Sequence, residues 1–177
     1  TRAFELLERM VSQGKLKGYG TATWNGYRVA PGESGYLSLD QVVHAAVSAG
    51  GPGHHFTAVQ LPYNLAMPEA FMVQNQSWHG EAVSTVEFAR RAGLLVFASA
   101  SLLQGRLAHR LPEKFRDFFR DCPSAAGSAL QFVRSTPGVT TALVGMKSSA
   151  HVLENLAVSI VPPLPEEKFV RLFSKQP

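Results

Sequence analysis

The sequence predicts an α/β fold in which parallel strands alternate with covering helices. Three observations carry this. Four short runs, residues 18–24, 56–61, 94–101 and 140–145, are near-continuous in small, apolar or β-branched residues, the pattern of strands covered on both faces. Helical patterns lie between them, which is the signature of βαβ units. The connections are also unequal: those before strands are short (14–17, 93, 136–139) and those after strands are long (25–37, 62–80, 102–123). In α/β barrels the loops that follow strands build the active site, so long loops on that side mark a functional face.

Each element has a local reason. A helix over 4–13 stops at Gly14, a residue suited to a helix C-terminus. The next, over 38–49, opens with Ser38 as N-cap and ends at Gly50-Gly51. A third is expected over 81–92, stopping at Gly93. The stretch 113–120 carries Phe115, Phe118 and Phe119 as a helical packing face. A helix over 124–135 precedes the turn Thr136-Pro137-Gly138, and another over 149–156 follows the last strand. The final helix, 165–174, has Pro165 near its first position and Glu166-Glu167 in its first turn. A complete (β/α)8 barrel of the TIM type needs about 250 residues and eight strands. This chain offers four strands, so it is either half of such a barrel or an open sheet with helices on both faces. An open sheet exposes two edges, and the run 18–24 carries no edge protection. That favours an interior strand of a closed barrel.

Composition narrows the function. The 177 residues suit one domain, and 45% hydrophobic content is enough for a core. Charged residues make up 17%, too few for a disordered chain. The longest apolar run, 94–103, is too short to span a membrane, so no membrane insertion is expected. The first residues, Thr1-Arg2-Ala3-Phe4-Glu5, read as the interior of a helix, as in a truncated product. A single cysteine, Cys122, leaves no internal disulfide, which suits a soluble protein of a reducing compartment, whether cytoplasm or organelle. The net charge is +4, but the basic residues are scattered and Arg90-Arg91 is the sole adjacent pair, so nucleic acid is not an expected partner. His54-His55, His79 and His109 lack the i,i+4 spacing and carboxylate companions of a metal site, and no metal is expected. Ser99 and Ser101 lack a nucleophile elbow. No glycine-rich Rossmann or P-loop pattern follows any strand.

Two places carry chemistry. The run 140–144 stops at Gly145; Lys147, Ser148 and Ser149 follow, and a helix opens that bears His151 and Glu154-Asn155. Backbone N–H groups, hydroxyls and a cation thus meet where a strand ends and a helix begins, a favourable place for a phosphate. A capped, solvated helix start is the plainer reading of Lys147 and Ser148. Gln60 falls beside Leu61-Pro62, at the mouth of a barrel.

Taken in order, the segments 7–20, Ala58-Val59-Gln60-Leu61-Pro62-Tyr63-Asn64, 93–105, Ala129-Leu130-Gln131-Phe132-Val133, Pro137-Gly138-Val139-Thr140 and the Gly145 motif resemble the second half of an aldo-keto reductase barrel. The likeness covers nearly the whole chain. It implies a (β/α)8 barrel of which residues 1–177 form the C-terminal part, about the last four β/α units. It also implies a nicotinamide-dependent reduction of a small carbonyl substrate, with NADP(H) as cofactor and NAD possible. The family's Asp-Tyr-Lys-His tetrad lies on strands before this chain begins, so no catalytic residue is assigned and the chain alone is expected to be inactive. The resemblance places Gln60 on the nicotinamide carboxamide, Lys147 and Ser148 on the 2′-phosphate, and Glu154 and Asn155 at the adenine. His151 stands where many members carry arginine. Ala22-Thr23 stands in the place of the family's Ser-Asn after the fifth strand, leaving Thr23 as the polar candidate, and Ser99 in that of the ring that stacks on nicotinamide. The expected partner is the missing N-terminal half or another chain. A non-catalytic assembly subunit on the same fold is the alternative.

Overall fold

Strands and helices alternate along the chain, and the computed structural model describes residues 2–109 and 111–174. Two units divide it. The first takes the residues up to Leu61 together with Glu69–Phe97; the second takes Pro62–Pro68 and the residues from Ala98 onward.

In the first unit, α1 (Arg2–Ser12) leads into β1 (Tyr19–Ala22), and α2 (Leu39–Gly50) crosses to β2 (Phe56–Pro62). Ser38 caps α2, its hydroxyl accepting from the Gln41 N–H. The two strands pair in parallel, Tyr19 opposite Phe56 and Ala22 opposite Gln60, as a helical crossover allows. At Gly20 a Cβ would stand 2.2 Å from the Ala58 carbonyl oxygen, so only glycine lets β1 lie this close. The rings of Phe4, Tyr19 and Phe56 cluster with centroids 5.2 to 6.0 Å apart. Beside them, the Glu8 carboxylate accepts from Tyr19 Oη at 2.8 Å and from the His55 backbone N–H at 2.7 Å, and lies 2.8 Å from His55 Nδ1. Burial raises the Glu8 carboxyl, but the bonds from His55 and Tyr19 outweigh it and hold it below the usual range.

The chain then forms α3 (Glu69–Met72) and an antiparallel hairpin of β3 (Gln76–Trp78) and β4 (Glu81–Val83). His79 and Gly80 turn it, both with positive φ, 49° and 90°, the conformation a two-residue hairpin turn requires. The helix expected over 81–92 is therefore shorter, α4 (Thr85–Arg91). Ser84 caps it, accepting from the Glu87 N–H, and the three residues before the cap join the hairpin instead. The hairpin anchors the long loop after β1. Asn75, 1% exposed, donates through Nδ2 to the carbonyls of Tyr27 and Val29 at 3.0 and 2.9 Å. Gln76 Nε2 donates to the Leu37 carbonyl at 3.2 Å, and its Oε1 accepts from the Leu39 N–H at 2.8 Å. Thr85 Oγ1 donates to Tyr27 O at 2.6 Å. Then β5 (Leu95–Ser99) takes its place beside β2.

The second unit contains the end of β5, then α5 (Arg106–His109), α6 (Glu113–Phe118), α7 (Ala125–Ser135), β6 (Thr141–Ala142), α8 (Ser149–Ser159) and α9 (Glu166–Val170). Pro165 sits at the N-cap of α9, one position before the one expected. β6 adjoins β5 and is much shorter than the run 140–145 suggests. Leu143 N still donates to Ala98 O at 2.8 Å, after which the chain leaves the sheet. The core is built on α7: Phe132 stacks on Tyr63 with centroids 5.6 Å apart and meets Phe169 at 5.3 Å. Burial on this scale stabilises by about 2 to 3 kcal/mol per large side chain. Gln131 and Arg134 satisfy the carbonyls that end α8: Gln131 Nε2 donates to Val161 O and Pro162 O, and Arg134 to Val158 O. Only Val158 of α8 is buried, while Leu153, Leu156 and Ile160 stand 69%, 56% and 84% exposed. Among the described residues no helix is long and apolar enough to cross a membrane.

Candidate functional site

The strand that stops early creates a concavity. With Leu143, Val144 and Gly145 free of the sheet beyond the Leu143 bond, the chain turns through Ser148 into α8. The Ser148 hydroxyl accepts from the His151 N–H at 3.3 Å, which makes Ser148 the N-cap. Residues 151, 154 and 155 are spaced i, i+3, i+4 and so share one face of α8. That face, with Leu143–Gly145, Ala126 of α7, the loop from Ala100 to Gly105, and Ala108 and His109 of α5, lines a cleft of about 470 Å³ in the second unit. Clefts of a few hundred Å³ suit small ligands. The loop is unusual in its backbone: Ala100, Leu103 and Gln104 have φ of 53°, 47° and 54°, and Gly105 follows at 86°. Three of these are not glycine, and each costs on the order of 1 kcal/mol. Turn bonds hold them, Leu103 N to Ala100 O at 2.7 Å and Arg106 N to Leu103 O at 3.1 Å. Buried Ser101 donates to Ala98 O at 3.1 Å.

Much of the lining is apolar, with Ala100, Leu102, Ala108, Ala126, Leu143 and Val144 among it. Its polar members include Asn155 and Gln104. Its ionisable side chains are His109, His151 and Glu154, and among the described residues that line it none is lysine or arginine. Lys147 and Ser148, expected at a phosphate, are exposed and outside the lining.

In the first unit the structure brings Thr23 and Gln60 together where β1 and β2 end. Thr23 N donates to Gln60 O at 3.0 Å. The Thr23 hydroxyl accepts from the Gly26 N–H at 2.7 Å, closing the turn after β1. Both side chains are half-buried, and Trp24 beside them is 57% exposed. Carboxyl ends of parallel strands are where α/β folds place their ligands. Ser99, in the second unit, ends β5 half-buried, its carbonyl accepting from the Tyr63 N–H at 3.0 Å.

No protein-family model matches the sequence, and no curated protein matches it. Solved structures do. A thermostable aldo-keto reductase in complex with the inhibitor epalrestat superposes with a TM-score of 0.63 at 16% identity, over 96% of this chain and 53% of its own. An aldo-keto reductase from Klebsiella pneumoniae in complex with NADPH gives 0.62 at 21% identity, over 95% and 51%. The same organism's aldo/keto reductase with NADP and acetate gives 0.62 at 21% identity, over 96% and 51%. The fold is that of the aldo-keto reductases.

This chain spans about half the length of the aldo-keto reductases it matches. Of the residues that the resemblance placed at a cofactor, Gly145, His151, Glu154 and Asn155 line one cleft, and Thr23 and Gln60 meet at two adjoining strand ends. Sequence reasoning missed Gln104 and Ser101 as cleft residues and weighed His109 only as a metal ligand. The long segment after β5 was the available signal, but it does not say which of its residues turn inward. Among the described residues, no three His, Cys, Asp or Glu gather to hold a metal.

Proposed function

We propose that this chain is the cofactor-binding part of a nicotinamide-dependent carbonyl reductase, and that the cleft beside α8 receives the adenosine end of the dinucleotide. The observation that carries the proposal is the convergence of Gly145, His151, Glu154 and Asn155 on one 470 Å³ cleft in a chain with the aldo-keto reductase fold. The donor set fits. Alanine and leucine surfaces suit the flat faces of a base, the Asn155 amide both donates and accepts, and glycine at 145 leaves the backbone open, with no atom within 4 Å of a Cβ there. The dinucleotide supplies the hydride. This chain's own residues bind and orient, the Asn155 amide and the open backbone at Gly145 among them. The proton donor and its partners belong to an N-terminal half that completes the barrel, so the 177 residues alone do not turn over substrate.

The test is a calorimetric titration of the natural polypeptide that carries these residues with NADH and NADPH. Saturation at one site in the micromolar range (on the order of −8 kcal/mol), displaced by adenosine, is the expected result. A folded protein that binds neither dinucleotide at millimolar concentration refutes the proposal.

One observation favours a second reading, an assembly subunit that has kept the fold without the reaction. The Thr23 hydroxyl is already engaged by the Gly26 N–H. Dinucleotide binding with no turnover across a panel of aldehydes and ketones is the result expected of it.

A further inference from the structure

We infer that Glu8 is an acid-sensitive latch: α1 is a separately detachable element, fastened at the entrances of β1 and β2 through this carboxylate, and acid releases it while the rest of the first unit stays folded. The make-up of α1 is the first reason. None of its 11 residues is buried, and Leu6 is 51% exposed. A helix of this length is marginal by itself in water, so its place depends on what it touches. Near its start, Phe4 joins the rings of Tyr19 and Phe56. One turn further on, Glu8 reaches two chain segments at once.

The Glu8 side chain is 13% exposed, and both its oxygens are engaged. Oε1 accepts from Tyr19 Oη in β1 and from the His55 backbone N–H ahead of β2, while Oε2 faces His55 Nδ1 at 2.8 Å. All three partners lie outside α1, so these bonds fasten the helix and do nothing to form it. A protonated carboxyl accepts more weakly and brings a hydrogen of its own among donors. The surrounding groups offer no substitute. Glu5 and Arg9 flank Glu8 on α1, and α2 brings Ala49 and Gly50 to the same shallow depression. His54 is turned to its own strand, its Nδ1 accepting from the Phe56 N–H at 3.3 Å. Burial opposes the bonds from His55 and Tyr19, which still hold the carboxyl below its ordinary value of 4.5. The latch therefore contributes fully above that value and is lost as pH falls through the lower folded one. Gly50 leaves room for it, since a Cβ there would stand 2.6 Å from Glu8 Cδ. The φ of Gly50 is −123°, so alanine at this position is opposed by the carboxylate and not by left-handed backbone.

The experiment is hydrogen exchange read by mass spectrometry on the natural polypeptide, comparing the protection of α1 amides with that of β2 amides. At pH 7, Glu8→Gln is expected to lower the protection of α1 by about tenfold or more and to leave β2 unchanged. Gly50→Ala, which keeps the carboxylate and all its donors but occupies its place, is expected to act in the same direction. Lowering the pH of the parent from 7 to 3.5 does so too, and Glu8→Gln abolishes that pH dependence. Unchanged protection of α1 in either variant overturns the inference. So does a loss shared equally by α1 and β2, including a Glu8→Gln chain that does not fold, because α1 is then not separately detachable.

Discussion

The loops that follow β1 and β5 are both long, yet they are held by opposite means. The loop after β1 takes its shape from side chains outside it: Asn75, Gln76 and Thr85 reach its carbonyls from the hairpin and the start of α4. The segment from Ala100 to Gly105 shapes itself through left-handed backbone and short turn bonds. A loop held from outside is bound to the stability of its unit, because losing one anchor strands buried carbonyls. A self-shaped loop is free to vary with the ligand it lines, at a local conformational cost. The first belongs to the scaffold, and the second belongs to the site.

Three perturbations probe that contrast. The largest effect is expected from Asn75→Ala, which leaves the carbonyls of Tyr27 and Val29 without their donor in a buried place. Unfolding in urea is expected to show a loss of about 2 to 4 kcal/mol; a loss below 1 kcal/mol would mean that the loop does not depend on its anchor. Next is Gln104→Gly, which relieves a positive φ. It is expected to raise thermal stability by roughly 0.5 to 1 kcal/mol, while adenosine binding weakens through the added freedom of the lining. The smallest is a pH effect in the first unit. Hydrogen bonds from Arg90, with Arg91 adding to them against the opposing effect of burial, hold the Glu87 carboxyl down at about 2. A depressed carboxyl stabilises the fold above its unfolded value, and that contribution is lost as pH falls from about 4.5 towards 2. The pair is partly exposed, so acid titration of Glu87→Gln against the parent is expected to differ by under about 1 kcal/mol.

Much of the scaffold can be read from sequence because its signals are local. The apolar run of β2 ends at Pro62, a helix stops just before Gly93, and Ser38 and Ser124 stand directly before amphipathic stretches as caps. The hairpin could not be read this way. Glu81-Ala82-Val83 is a good opening for a helix, and only its pairing with Gln76–Trp78 makes it a strand, with His79 adopting a positive φ that residues other than glycine seldom show. β6 was overestimated for a related reason: residues 143–145 are apolar enough for a strand, but they leave the sheet to line a cleft. In the site, the helical face 151, 154, 155 follows from spacing alone. The contributions of Gln104 and His109 do not, since they depend on how the segment after β5 folds back. The absence of lysine and arginine from the described lining is a property of placement: Lys147 is two residues from Gly145 in sequence and still outside the cleft.

Position 20 carries a consequence of another kind. A methyl group there would meet the Ala58 carbonyl oxygen at 2.2 Å, so no side chain enters without prising two strands apart, whatever the chemistry at their ends. In a library of random variants selected only for a folded product, this site would stay glycine while 104, 151 and 154 drifted. A lineage that had abandoned catalysis would therefore keep Gly20 and lose the cleft, and the two positions read side by side would date the loss.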